Sequence, residues 1–127
     1  MAGLQVLEDQ YKAQGFAVLG FTSNDFGNQG GSNEQVDECT NDYNITFHQF
    51  ASDHVKGANA QPVWKWLFDQ GAPAPAWNFH KYLVARDGSY VKKWGGSPYW
   101  GTDPSSSTFQ NNEVVKAIET ELQKAAP

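Results

Sequence analysis

From Ala2 to Gln14 the apolar side chains Leu4, Leu7 and Tyr11 recur at the spacing of one helix face, and Gly15 supplies a stop. The run that follows, Phe16 to Phe21, is short and continuously apolar, the pattern of a buried parallel strand. Thr22 to Asn33 is rich in Gly and Asn and predicts a long irregular loop. Ser32-Asn33-Glu34-Gln35 then offers a cap for a short helix reaching Cys39. Ala60 to Gln70 is a further helix candidate, with Val63, Trp64 and Leu67 apolar and Gly71 as its stop. Phe79 to Trp94 predicts two strands folded at Asp87-Gly88, a hairpin turn pair. Asn112 to Lys124 repeats Val115, Ile118 and Leu122, a last long helix. The order helix, strand, helix, helix, hairpin, helix predicts an α/β layer fold, in one domain spanning residues 1–127. Its centre is thin, since only one strand has the pattern of full burial.

Composition narrows the class. A chain of 127 residues with 39% hydrophobic content can bury one sizeable core. The net charge of -5, with Lys92-Lys93 the only adjacent basic pair, argues against nucleic acid as a partner, because phosphate neutralisation needs clustered cations. No apolar run approaches the roughly 20 residues of a membrane helix, so no membrane partner is expected. The sequence as written opens without the apolar core of a signal peptide, and its single cysteine, Cys39, suits a reducing compartment, so the expected location is cytoplasmic. The sequon Asn44-Ile45-Thr46 has no consequence there. His48, His54 and His80 share no metal-ligand spacing, Asp53 and Asp69 form no obvious acid/base couple, and the Gly27–Gly31 run lacks the ending of a phosphate loop. Neither cofactor nor metal is therefore expected.

Two segments carry more information than the rest: GFTSNDFGNQGGSN, from Gly20 to Asn33, and WNFHKYLVARDG, from Trp77 to Gly88. They resemble the second and third signature blocks of the glutathione peroxidase family. The likeness continues in order along the chain. Leu4 to Phe21 is similar to the family's GLxxLYxxYxxxGFxVLGF, Asn33 to Phe50 to its FCxxNYNVTFPxF stretch, and Val55 to Leu67 to VNGxxAHPLYKWL.

The resemblance implies a thioredoxin-like fold and the reduction of hydrogen peroxide or organic hydroperoxides, with glutathione or thioredoxin as reductant. Gln29, Trp77 and Asn78 match the family's three supporting positions, and Cys39 matches the resolving cysteine of thioredoxin-dependent members. An amide of Gln, an indole N–H and an amide of Asn can each donate to a thiolate, which lowers its pKa and raises the population of nucleophile. The family's peroxidatic cysteine sits in a block reading NVASxCGxT, upstream of the residues present here. The resemblance therefore implies a fold lacking its first strand or strands, and a chain without efficient peroxide turnover. Ser23 cannot substitute, because an alcohol is un-ionised at neutral pH without an adjacent base. The acidic neighbours Glu38 and Asp42 would raise the Cys39 pKa, which a resolving thiol tolerates better than a peroxidatic one.

Other departures sharpen the type. Thr22-Ser23 stands where the family commonly reads Pro-Cys, Gln61 replaces a frequent His, and the span from Leu67 to Trp77 lacks the insertion of tetrameric members. That implies a monomeric type. The segment 95–108 departs from the family pattern and receives no role. Each site residue has a plainer alternative: Trp77 as a core aromatic starting a strand, Cys39 as an inert helix cysteine. Trp64, Trp66, Trp94 and Trp100 are read as core or surface packing residues. The competing function is a catalytically inactive thioredoxin-like scaffold that binds a partner through Cys39 or the exposed site loop, or associates with itself or another chain through an exposed sheet edge.

Overall fold

A computed structural model describes residues 2–26 and 44–125 of the chain. The predicted helix ending at Cys39 and the site residue Gln29 lie outside the described residues, as does Cys39 itself. The chain divides into two compact units, Met1–Gln61 and Pro62–Pro127, each mixing helix and strand.

The first unit opens with helix α1, Ala2–Tyr11, continued by a 3-10 turn over Lys12–Gln14 that Gly15 ends, its N–H donating to the Lys12 carbonyl at 3.1 Å. Leu7 and Tyr11 are buried as their spacing predicts. So is Gln5, a polar residue that the apolar pattern passes over. Gln5 Nε2 donates to Asp9 Oδ1 at 2.9 Å and to Thr46 Oγ1 at 2.7 Å, while its Oε1 accepts from the Thr46 N–H at 2.8 Å. The amide is buried because both its ends are satisfied.

Strand β1 is Leu19–Phe21, shorter and more open than the apolar run suggests, with Leu19 54% exposed. The expectation of one fully buried strand is corrected on both counts. Its partner, β2, is His48–Phe50, which lies parallel to it in the register Leu19↔His48, Gly20↔Gln49, Phe21↔Phe50. The rings of Phe21 and Phe50 stack with centroids 4.3 Å apart. A Cβ on Gly20 would come within 3.1 Å of the Phe47 ring and 3.3 Å of the Gln49 side chain, a tight approach that glycine accommodates without displacing either neighbour. Phe26, Ile45, Phe47, Val55 and Ala60 complete the unit's core.

The second unit begins with helix α2, Pro62–Asp69, with proline at its first position, where the missing N–H costs nothing. It ends in a Schellman motif. Ala72 N–H donates to Leu67 O at 3.1 Å and Gly71 N–H to Phe68 O at 2.9 Å, with Gly71 in the left-handed region at φ 91°. Strands β3, Lys81–Val84, and β4, Tyr90–Trp94, form the expected antiparallel hairpin, pairing Lys81 with Trp94 and Tyr82 with Lys93. Its turn is drawn tight by Asp87, whose Oδ1 accepts from the Ser89 N–H and hydroxyl at 2.9 and 2.6 Å. Trp64 of α2 meets Tyr82 edge to face, centroids 5.0 Å apart.

A short helix, α3 at Ser107–Gln110, lies in a stretch for which no element was expected; Ser106 caps it by accepting from the Phe109 N–H. Helix α4, Glu113–Leu122, matches the last predicted helix, and Asn112 Oδ1 caps it by accepting from the N–H groups of Val114 and Val115. Val114, Val115 and Ile118 turn into the core beside Phe109, each worth about 1.5–3 kcal/mol of apolar burial.

Candidate active site

Ala72-Pro73-Ala74-Pro75-Ala76 leads into the Trp77-Asn78-Phe79 turn, and two prolines keep that approach out of helix. Two side chains of the hairpin hold it. Tyr82 Oη donates to the Pro73 carbonyl at 2.8 Å, and Lys93 Nζ to the Ala74 carbonyl at 3.4 Å. Burial, with Tyr90 nearby, pushes the Tyr82 phenol far above its ordinary value, so it remains a donor throughout the working pH range.

The turn itself is tight. Phe79 has φ 59°, a left-handed conformation that costs a non-glycine residue about 1–2 kcal/mol. Two consecutive side chains hold it. The Ala76 N–H donates to His80 Nδ1 at 3.3 Å, closing the turn on itself. Burial lowers the His80 pKa, helped by the charges of Lys93 and Lys81, so the imidazole stays neutral and keeps an accepting nitrogen. Lys81 Nζ donates to the Phe79 carbonyl at 2.8 Å and to the Gly95 and Gly96 carbonyls at 3.1 Å each.

The result is an aromatic held outward. Trp77 is 57% exposed and Phe79 63% exposed, while Asn78 between them is half-buried. Trp77 is therefore not a core aromatic; Trp64, Trp94 and Trp100 are nearly fully buried, and Trp66, 41% exposed, lies at the surface. Trp77 and Asn78 bring an indole N–H and a side-chain amide to one turn, a pair of neutral donors suited to an anionic sulfur or oxygen. Gln29 and Cys39, the remaining residues singled out in the sequence, lie outside the described residues. Among the described residues no group of three His, Cys, Asp or Glu could hold a metal ion, and no helix is long and apolar enough to cross a membrane.

In the first unit, the strand exit toward Phe26 is fastened to the segment 53–56. Asp53 N–H donates to Thr22 O at 3.3 Å, and Val55 N–H to Asp25 Oδ2 at 2.8 Å. Asp25 Oδ1 and His54 Nδ1 stand 2.7 Å apart, and the Lys56 ammonium lies 4.6 Å from the centre of the Phe26 ring. No sequence signal links Asp25 to His54 across 29 positions; the backbone path alone brings them together.

The pair has an electrostatic signature. Hydrogen bonding to Asp25, then its charge, raises the His54 pKa above 6.5. Partial burial pushes Asp25 upward, but the bonds from His54 and the Val55 N–H outweigh it and leave it below 3.8. The stabilisation tied to raised His54 is complete below pH 6.5 and fades as pH rises through its folded value. That tied to lowered Asp25 is present above 3.8 and is lost as pH falls through its folded value. The pair therefore contributes most between these limits. Asp25→Asn is expected to return the His54 titration toward 6.5, read from its imidazole resonances; an unmoved midpoint would show that the carboxylate does not set it.

Comparison with known proteins adds the context for these residues. Residues 1–68 match the protein family described as glutathione peroxidase. The chain is 42% identical over 105 residues to the hydroperoxy fatty acid reductase gpx1 of Synechocystis sp., a match covering 73% of this chain and 62% of that protein. It is 40% identical over 98 residues to the glutathione peroxidase-like peroxiredoxin gpx1 of Schizosaccharomyces pombe, covering 72% of this chain and 62% of the relative. The chain thus matches less than two thirds of the length of either relative. Its fold superposes on the crystal structure of Trgpx in apo form with a TM-score of 0.67 and 26% identity, over 98% of this chain and 71% of that one. The mixed α/β architecture with two small sheets is of the thioredoxin-like kind.

Proposed function

The chain belongs to the glutathione peroxidase family, and on that premise we propose that it serves thiol-dependent reduction of hydroperoxides, with Gln29, Trp77 and Asn78 as its supporting donors. The observation that carries this reading is the outward indole of Trp77, beside the Asn78 amide, on a turn closed by His80 and Lys81. At 57% exposure Trp77 is not part of the buried core, and its indole N–H with the Asn78 amide supplies the donors that this reading uses.

In this reaction a thiolate attacks one peroxide oxygen, the O–O bond breaks, and the sulfur becomes a sulfenic acid while the other oxygen leaves as alcohol or water. A second thiol then attacks that sulfur, releasing water and forming a disulfide, and two reducing equivalents from thioredoxin or glutathione restore both thiols. The donors hold the peroxide and stabilise the anionic sulfur and leaving oxygen. Cys39 is assigned the resolving role, and thioredoxin is the favoured reductant. As the only thiol among the 127 residues, Cys39 leaves no second thiol for the cycle within them.

The test is made on the protein as its native source makes it, by intact mass and by hydroperoxide consumption with thioredoxin or glutathione. A mass above 14.1 kDa with a further cysteine, and turnover that Trp77→Phe lowers roughly 10²-fold, is the expected result. The 127 residues alone are expected to give no turnover above the uncatalysed reaction. Steady turnover by them, abolished by Cys39→Ser, would instead make Cys39 the nucleophile.

A second reading, an inactive binding scaffold that accepts a strand from another chain or from a second copy, rests on the two-stranded sheet of β1 and β2. Among the described residues β1 and β2 form a two-stranded sheet, and strand addition to a sheet is a recurrent mode of partner binding. A stable dimer at 14.1 kDa per chain without peroxide turnover would favour this reading over the first.

A further inference from the structure

We propose that Lys81 is the positioning residue of the Trp77-Asn78-Phe79 turn: its ammonium, gripped by three backbone carbonyls, fixes the turn to the Gly95-Gly96 segment and sets where the indole and amide donors point. The inference rests on the reading of Trp77 and Asn78 as supporting donors.

Lysine carries three donors and no acceptor. Here the three acceptors are Phe79 O at 2.8 Å, Gly95 O at 3.1 Å and Gly96 O at 3.1 Å, so the donor capacity is filled by main chain alone. The ring of Trp100, 1% exposed, lies 5.5 Å from the same nitrogen. Lys81 opens β3 opposite Trp94, so its backbone is already fixed by the hairpin ladder. The side chain then reaches back over its own preceding turn.

Of the three carbonyls, Phe79's belongs to the residue with positive φ, and bonding to a charged donor offsets the cost of that conformation. The other two belong to the segment following β4, so a single charge joins both ends of the hairpin. A guanidinium would not serve. Its planar fork suits a flat bidentate partner, whereas an ammonium takes three acceptors around one point. Burial lowers the Lys81 pKa, the expected sign for a cation whose partners are dipoles instead of a carboxylate.

The experiment is nuclear magnetic resonance on isotopically labelled protein. In the unsubstituted chain the Lys81 Nζ protons are expected to exchange slowly with water and to show couplings across hydrogen bonds to the Phe79, Gly95 and Gly96 carbonyl carbons. Lys81→Met is expected to shift or broaden the Trp77 indole and Asn78 side-chain amide signals while the Trp64 indole, on α2, stays in place; Lys81→Arg should not restore them. Unmoved Trp77 and Asn78 signals overturn the proposal, as does a displacement shared equally by Trp64, which would mark a merely structural lysine. Should Lys81→Met not fold, rapidly exchanging Nζ protons without those couplings in the unsubstituted chain would overturn it alone. These signals are read without any peroxide, so failed turnover would count against the proposed function and not against the role of Lys81.

Discussion

Trp100→Ala is expected to destabilise the second unit by about 3–5 kcal/mol, the range for emptying a large aromatic site in a packed core. Trp100 is 1% exposed, the largest side chain buried so completely among the described residues. The substitution removes its apolar area and leaves a cavity that the surroundings fill only in part. It also removes the ring beside the Lys81 ammonium and the neighbour of Tyr99, whose centroid is 5.9 Å away. Urea denaturation would show a lower midpoint at unchanged slope. A loss below about 1 kcal/mol, the usual effect of an unremarkable substitution, would mean that the ring packs less tightly in solution than here.

Gln5→Ala comes next, in the first unit. It deletes both ends of an amide that bonds Asp9, the Thr46 hydroxyl and the Thr46 N–H. The cost is expected at about 1–3 kcal/mol, the penalty for stranding partly buried polar partners. Gln5→Glu is a sharper probe, because it keeps an acceptor for the Thr46 N–H but sets a second carboxylate against Asp9. Its deficit should shrink as the pH falls into the carboxylate range, where protonation restores a donor. A deficit independent of pH would show that the Asp9 contact carries no weight.

The sequence made the local elements legible where short-range signals agree. Leu7 and Tyr11, Trp64 and Leu67, and Val115 and Ile118 are buried at helical spacing, and Gly15 and Gly71 stop their helices with local hydrogen bonds. Asp87-Gly88 marks the hairpin because the turn is held by its own residues. Strand β2 escaped because His48-Gln49-Phe50 has no alternation to read, and its pairing with β1 is a long-range fact. Helix α3 escaped in a Ser-rich stretch where a cap, Ser106, stands among other serines. For the candidate site, resemblance pointed to Trp77 and Asn78, and the structure adds what holds the turn that carries them. Lys81 gave no signal because its partners are carbonyls, which every residue possesses. Asp25 and His54 gave none because neither is unusual alone.

The parallel pair of β1 and β2 is only three residues long, too short for its ladder alone to resist sliding. The stacked rings of Phe21 and Phe50, with the bare Gly20 beneath Phe47, work as a vernier. Sliding one strand by a residue would separate the rings and press a side chain into the tight space beside the Phe47 ring. Insertions engineered into this sheet should therefore be rejected at single-residue resolution, whatever their hydrophobicity.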